Sequence, residues 1–333
     1  VFHIRVLQLL IIGVIFLFEI VRRETGEGSL DWQAVSNAAM TGDSGMLWIA
    51  CIFFFIGFAA KSGIAPLHTW LPEAHAKAPS AVSAVLSGAI LNVGMYGIIR
   101  MAGIVHPTGI AGQVSLLLLV FGLITMSAAC FSMLRQDSTK KLIAFSSVEN
   151  MGFILIATGI GTPVAVFWML YHMAGHSLVK AGLFFSAGIL HRQYLVHDGS
   201  GEDRIGDLFR MQPFAAATFI LGSIAITGTP LFPLFLSKFG ILLEAGAISF
   251  SLPLIALILF AVAAAALFRF IVSMTGATFG ESKAPAPYLV PVWMKIPVIV
   301  LLILSGIAGV LMIPGEEEFL RAAVSELGFS GGV

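Results

Sequence analysis

Long apolar runs separated by short polar loops dominate the hydrophobic pattern of this 333-residue chain. A helix needs roughly 20 consecutive apolar residues to cross a bilayer. Runs near that length cover residues 4–21, 47–73, 81–101, 112–134, 141–160, 164–190, 213–248, 252–274 and 296–314. The pattern therefore predicts an all-α, polytopic membrane helix bundle with about nine transmembrane spans.

Two of these runs, 47–73 and 213–248, are too long for one straight span and contain helix breakers. The candidate hinges are Gly63 and Pro66 in the first run, and Gly228, Pro230 and Pro233 in the second. Each run is predicted to form two half-helices joined by an unwound stretch that the protein must shield from lipid. Paired broken helices are typical of inverted-repeat transporters, so an inverted-repeat architecture with an incomplete first repeat is expected.

The composition agrees with a membrane protein, because 58% of the residues are hydrophobic and only 11% are charged. Average soluble chains carry about 25% charged residues. A formal net charge of zero gives no electrostatic footprint for nucleic acid. Cys51 and Cys130 both lie in apolar runs, so a disulfide or zinc framework is not expected.

Lysine and arginine are more numerous in the loops after even-numbered spans, which predicts a cytoplasmic location for those loops. We expect three regions: residues 1–46 form the first span and an external loop, 47–314 the main transmembrane domain, and 315–333 a tail. A short amphipathic helix around residues 316–327 is predicted to lie on the membrane surface. The expected location is the inner or plasma membrane of a prokaryotic cell.

His172, His176 and Lys180 follow one another at intervals of four residues inside an apolar span. That spacing places all three on one helix face, over roughly 12 Å of depth. Burying one lysine in hydrocarbon costs about 2.5–3.5 kcal/mol even on lenient scales, so such a stripe suggests a proton relay. A metal-binding histidine pair is disfavoured, because the nearby sequence supplies no further ligand. Hydrogen bonding across a helix interface remains an alternative.

Three further ionisable residues are predicted to be buried: Lys61, Glu149 and Lys238. Lys61 follows a long uncharged run beside the first break, and Lys238 follows the second break. Lys61 could instead be structural, bonding to carbonyls freed by the break, and Lys238 could be an interfacial lysine that snorkels outward. Glu149 could serve helix packing through its serine and asparagine neighbours.

Four motifs occur in order along residues 47–275: GFAAKSGIAPLHTWLPEAHAKAPSAVSAVLSG, KKLIAFSSVENMGFI, HMAGHSLVKAGLFFSAG and GTPLFPLFLSKF. Together they resemble the antiporter-like proton-channel subunits of respiratory complex I, of Mrp-type cation/proton antiporters and of group 4 [NiFe] hydrogenases. SSVENMG and LSGAILNVGMYGIIR are most similar to the hydrogenase-4/formate hydrogenlyase type.

This resemblance implies roles for the buried residues. Lys61 matches the proton-loading lysine on the first broken helix, and Lys238 matches the exit residue on the second. His172, His176 and Lys180 match the connecting set between them. Their partners would be protons, or Na⁺ in the antiporter type, together with the lipid bilayer and the other membrane subunits of a multisubunit complex.

Two departures from the family pattern affect these expectations. Asn92 stands where many relatives carry a lysine, so water would have to connect Lys61 with the centre. Family members have about fourteen spans, and the helix whose glutamate pairs with the first lysine is among those without a counterpart here. We therefore expect an N-terminal truncation or a split protein.

The favoured function is a cofactor-free, non-catalytic, proton-translocating subunit of a redox-driven complex, because no flavin, haem, iron–sulfur or nucleotide motif is found in the sequence. A partner would then supply the redox energy. Two alternatives stay open: a subunit of a Mrp-type Na⁺/H⁺ antiporter, and a structural membrane subunit that conducts nothing.

Overall fold

The computed structural model describes residues 2–195, 207–275, 289–311 and 315–329. Every regular element in these ranges is a helix, which confirms the all-α prediction. In chain order the helices are α1 (Phe2–Thr25), α2 (Trp32–Thr41), α3 (Ser44–Ser62), α4 (Trp70–Lys77), α5 (Ser80–Val105), α6 (Ala111–Met133), α7 (Thr139–Ile160), α8 (Pro163–Leu195), α9 (Leu208–Met211), α10 (Pro213–Thr227), α11 (Pro233–Ile248), α12 (Ser251–Thr275), α13 (Val292–Val310) and α14 (Glu316–Glu326).

Seven of the described helices are long and apolar enough to cross a membrane: α3, α5, α6, α7, α8, α12 and α13. Helix α10 is apolar but has only 15 residues. Helix α1 covers the first predicted span and exposes Leu7, Ile11 and Ile15 on its surface. The chain is thus a polytopic membrane helix bundle, and the count of nine spans stays a prediction.

Helix α7 forms the centre of the bundle. Of its most apolar stretch, 94% is buried inside the protein, against 61% for α8 and less for the other spanning helices. Glycines allow α6 to approach α7 closely: a Cβ atom on Gly152 would lie 2.8 Å from the Met126 amide nitrogen and 2.9 Å from the Gly122 carbonyl oxygen. Small residues permit such contacts between membrane helices. The polar face of α7 is therefore enclosed by protein.

The first break lies at the end of α3. Gly63 ends the helix in the left-handed region at φ 70°, and the chain turns through a cis Ala65–Pro66 bond before α4 begins. The Trp70 indole donates to the Ala60 carbonyl at 2.8 Å, and the Ala65 amide donates to Thr125 Oγ1 at 3.1 Å, so the freed backbone is partly satisfied. The chain is broken at Gly63 and Pro66 as predicted, but the two parts are unequal: α3 has 19 residues and is long enough to cross the membrane, whereas α4 has 8.

The second break agrees with the prediction. Helix α10 ends at Gly228, which has φ 86°, and α11 begins after Phe232 with Pro233 in its first turn. Helices α10 and α11 have 15 and 16 residues, so neither reaches the length of a full span. The unwound stretch between them contains the predicted hinge Pro230.

The C-terminal helix α14 matches the helix predicted in the tail. It packs against the protein: Leu320 and Val324 are buried, and so are Leu327 and Phe329 just beyond it. A Cβ atom on Gly103 of α5 would overlap the Leu327 carbonyl, which shows how closely the two segments meet. The inverted-repeat relation and the three-region division stay predictions, and parts of that division, residues 312–314 and 330–333, lie outside the described residues.

Candidate functional site

A group of buried ionisable side chains occupies the centre of the bundle, where α7, α8 and α11 meet. We call this group the core cluster: Glu149, His172, His176, Lys180 and Lys238. The three α8 side chains have no exposed surface, and Glu149 and Lys238 are 2% and 6% exposed. Burying charge at this density is expensive unless the groups are paired or hydrogen-bonded, so their contacts decide what the cluster can do.

Glu149 and Lys238 form an ion pair between α7 and α11. The distance from Lys238 Nζ to Glu149 Oε1 is 3.8 Å, which is too long for a hydrogen bond. Lys238 Nζ instead donates to the carbonyls of Ile226 and Thr227 at 3.3 and 3.4 Å, and it lies 3.9 Å from the centre of the Phe260 ring. The lysine therefore stabilises the end of α10 while its charge faces the carboxylate.

Asn150 joins this pair to the histidines. Its Nδ2 group donates to Glu149 Oε2 at 2.6 Å and to the Ser146 carbonyl at 2.7 Å. A backbone carbonyl can only accept, so the Ser146 contact fixes the amide orientation and Oδ1 faces the other way. That oxygen lies 3.0 Å from His172 Nε2, which must therefore carry a proton.

His172 and His176 lie one helical turn apart on α8 with nearly parallel rings. Their ring centroids are 6.4 Å apart, and the planes differ by 15°. His172 Nδ1 lies 2.8 Å from Ser237 Oγ on α11. Neither ring nitrogen of His176 has a hydrogen-bond partner among the described residues. A buried imidazole without partners is costly as a purely structural element.

Lys180 completes the cluster beside the first turns of α7. Its Nζ group donates to the Ile143 carbonyl at 2.7 Å and to the Ser146 hydroxyl. The Ser146 carbonyl in turn accepts from Asn150, so polar contacts connect Lys180 through Ser146 and Asn150 to both His172 and Glu149. The structure thus brings together five of the six residues predicted for the proton pathway.

Lys61 is not part of this cluster. It is the next-to-last residue of α3, and its side chain is exposed and makes no hydrogen bond or ion pair with the described residues. The sequence predicted that Lys61 is deeply buried. This prediction is wrong for the described residues, because Lys61 lies on the face of α3 that is not covered by the rest of the bundle. Asn92 donates to Ser177 Oγ at 2.9 Å and so connects α5 to α8.

The structure adds one residue that sequence reasoning missed. His75 on α4 is fully buried, neither of its ring nitrogens has a partner among the described residues, and its ring stacks on Phe184 with centroids 4.6 Å apart. Burial, and then the charges of Lys180 and Lys140, lower the pKa of His75 to about 3. His75 lies within the first of the four sequence motifs, but nothing in that motif indicated a role for it.

A cavity of about 750 Å³ lies at this end of the bundle. Lys140 and Ala78 line it, and Lys140 Nζ donates to the Ala78 carbonyl at 3.0 Å. His75 directly precedes Ala76 and Lys77, which line the cavity, and its ring stacks on Phe184 of α8, the helix that carries Lys180.

The arrangement can hold and pass protons, since amines, imidazoles and a carboxylate each take and release them. Metal binding has no support in the geometry: the described residues contain no group of three or more His, Cys, Asp or Glu side chains placed to share an ion. His172 belongs to a hydrogen-bonded polar network in the bundle core, and His176 lies one helical turn away from it.

Comparison with known proteins gives this network a family context. Residues 7–252 match the family described as NADH:quinone oxidoreductase/Mrp antiporter, TM. A hydrogenase-4 component F homolog from Methylacidiphilum infernorum is 35% identical over 312 residues, which cover 92% of this chain and 63% of that protein. NADH-quinone oxidoreductase subunit M from Pseudomonas aeruginosa is 30% identical over 291 residues, covering 84% of this chain and 56% of that protein.

Solved structures share the fold. A chain of the Mrp complex from Dietzia sp. DQ12-45-1b superposes with a TM-score of 0.82 at 18% identity, covering 98% of this chain and 66% of that one. This chain spans less than two thirds of the length of the curated relatives that it matches. The matched family extends over most of the sequence, including both breaks and the whole core cluster. The chain therefore belongs to the NADH:quinone oxidoreductase/Mrp antiporter family of transmembrane subunits.

Proposed function

We propose that this chain is a proton-translocating transmembrane subunit of a redox-driven complex of the hydrogenase-4 or NADH:quinone oxidoreductase type. The observation that carries the proposal is the continuous run of buried polar contacts from Lys180 through Ser146 and Asn150 to His172, Glu149 and Lys238. A polar group with a purely structural role needs only a single hydrogen-bond partner nearby. Here the contacts continue from one group to the next across α7, α8 and α11.

The order of the groups gives the path, and we assign uptake to the end of the bundle that has the cavity. Protons are taken up at the end of the bundle that holds Lys140 and His75, and they reach Lys180 first. The histidines and Asn150 connect Lys180 to the Glu149–Lys238 pair. Lys238 is the last of these groups. Backbone carbonyls beside the unwound stretch after α10 hold its ammonium, and its proton passes to water on that side of the membrane.

Lys61 acts at a second position, on the surface of this chain. An exposed amine beside a long apolar helix is costly in lipid. We infer that another membrane helix of the assembly covers it and supplies a carboxylate. The partners are accordingly other membrane subunits, in a prokaryotic plasma membrane, and the relatives named as components or subunits of larger complexes support that assignment.

Reconstitution of the assembly that contains this chain into liposomes tests the proposal. A potassium diffusion potential drives protons, and an internal dye reports the pH. Lys180→Ala or Lys238→Ala is expected to lower the flux by a factor of about 10² or more, because each removes an obligatory proton carrier. Redox activity of the assembly is expected to stay largely intact in both variants.

Lys141→Ala is the matched control, because Lys141 forms its ion pair with Glu73 at the surface, at 2.6 Å. Normal flux in the Lys180 and Lys238 variants would reject the proposal. Sodium-dependent pH changes in the wild type would favour the Mrp-type alternative. Absence of any flux in the wild type would favour a structural subunit.

A further inference from the structure

Serine hydroxyls line one face of α5 between the Lys140 cavity and the core cluster. Ser80 is among the residues that line the cavity. Ser83 and Ser87 follow it at intervals of three and four residues, so all three share one side of the helix. Ser83 and Ser87 are fully buried. This row of three residues, which we call the serine face, therefore runs from the cavity into the bundle.

The inner end of the serine face reaches α7 beside the group that holds Lys180. Ser87 Oγ and Ser147 Oγ are 2.8 Å apart, and Ser147 Oγ donates to the Ile143 carbonyl at 3.2 Å. The same carbonyl accepts from Lys180 Nζ at 2.7 Å. Ser147 and Lys180 thus share one acceptor atom, so the hydroxyl pair connects α5 to the first titratable group of the core cluster.

A π-helical turn in α5 holds Ser87 in this position. Residues 86–90 form the turn, which closes with a backbone amide that donates to the carbonyl five residues before it. The Gly88 carbonyl accepts from Ser177 Oγ of α8 at 2.5 Å, while Ser87 contacts α7. One turn of α5 thus bonds to two helices of the core cluster. Turns of this kind are rare, and they occur frequently at functional sites.

The outer part of the serine face lies beside His75. Ser83 Oγ makes a long hydrogen bond of 3.4 Å to the His75 backbone carbonyl, and the imidazole has no hydrogen-bond partner among the described residues. Ser80 packs against Gly188 of α8, where a Cβ atom would lie 2.8 Å from the Ser80 hydroxyl oxygen. Gly188 also lines the cavity. Hydroxyl groups and an imidazole therefore occur together between the cavity and Lys180.

A serine hydroxyl donates one hydrogen bond and has two lone pairs that accept others. Because Ser147 donates to the Ile143 carbonyl, Ser87 donates to Ser147, and both hydrogen bonds point toward Lys180. We propose that Ser87 and Ser147 carry protons from the cavity side of the bundle to Lys180, an inference that rests on the proposed function. Ser87 receives a proton and passes its own to Ser147, which passes its own to the unprotonated amine of Lys180. Both serines are neutral again after each transfer.

Proton flux through the reconstituted assembly tests the proposal with two variants of the same shape. Ser87→Thr keeps a hydroxyl, whereas Ser87→Val carries a methyl group in its place, so both variants change the packing alike and only one can relay a proton. Ser87→Thr is expected to conduct about tenfold faster than Ser87→Val, or more. Ser147→Ala is expected to lower the wild-type flux about tenfold or more, and it decides the question if the larger side chains at Ser87 prevent assembly.

Ser186→Ala is the matched control, because Ser186 Oγ donates to Thr218 Oγ1 at 3.0 Å and forms another hydroxyl pair between two helices, α8 and α10. It should lower the thermal stability about as much as Ser147→Ala but leave the flux unchanged. If the wild type conducts, equal flux in the Thr and Val variants of Ser87, or in Ser147→Ala and Ser186→Ala, would overturn the relay and leave the proposed function standing. A wild type that carries no protons would overturn both.

Discussion

At the scale of single residues, Asn150 decides how the core cluster is connected. It is uncharged and does not titrate, yet its amide contacts Glu149 on one side and His172 on the other. An amide can hold the two groups in one geometry because its donor and acceptor ends are distinct. Without it, the histidines and the Glu149–Lys238 pair are two separate polar groups.

Asn150→Leu is therefore expected to lower proton flux roughly tenfold or more, because Glu149 loses its hydrogen bond and His172 its acceptor. Flux in liposomes is the measurement, with assembly checked by size-exclusion chromatography. Thr158→Val is the control: it removes another buried side-chain hydrogen bond on α7, to the Ile154 carbonyl, away from the cluster. Equal flux in both variants would contradict a linking role for Asn150.

At the scale of elements, the break between α10 and α11 positions Lys238. Gly228 permits the turn, since φ 86° is costly for a residue with a side chain. The carbonyls of Ile226 and Thr227 that the break leaves without helical partners become the acceptors for Lys238. The hinge and the buried amine thus stabilise each other.

Gly228→Ala should destabilise the protein by about 1–2 kcal/mol from backbone strain alone. The new Cβ atom would also lie 3.0 Å from Lys238 Cδ and would displace the amine, so flux should fall as well. Thermal unfolding in detergent and liposome flux measure the two effects. Gly306→Ala in α13 is the control, because a Cβ there meets nothing within 4 Å. A variant as stable and active as this control would argue against the hinge role.

At the scale of the whole molecule, the core cluster needs a route to water. The cavity lined by Lys140 lies at one end of the bundle. His75 precedes the cavity-lining Ala76 on α4, and its ring stacks on α8, the helix that carries Lys180. Its low pKa means that the imidazole is neutral near pH 7, so it can accept a proton only briefly and pass it on.

His75→Phe keeps the stack on Phe184 but removes both nitrogens. We expect about tenfold lower flux or more, with unchanged assembly, because the connection to the cavity is lost. His106→Phe, at the opposite end, is the control, since that ring contacts Phe329 edge-on and is exposed. If both variants conduct like the wild type, protons reach Lys180 by another route.

The hydrophobic pattern alone determined the fold class, most of the helices and the second break, because helix formation in a bilayer depends on local composition and on Gly and Pro. Spacing of four residues placed His172, His176 and Lys180 on one face, since that geometry is a property of a single helix. The pattern placed the first break as well, but not the length of the helix before it, because Ser44, Gly45 and Met46 also join α3.

Which helix faces meet was decided only by the tertiary structure. The Glu149–Lys238 pair and the His172–Ser237 contact join distant segments, and no local pattern specifies their partners. The same holds for the exposure of Lys61, the burial of His75 and the packing of Phe329 against the bundle. Periodicity shows which residues share a face of a helix, but packing between helices determines what that face contacts.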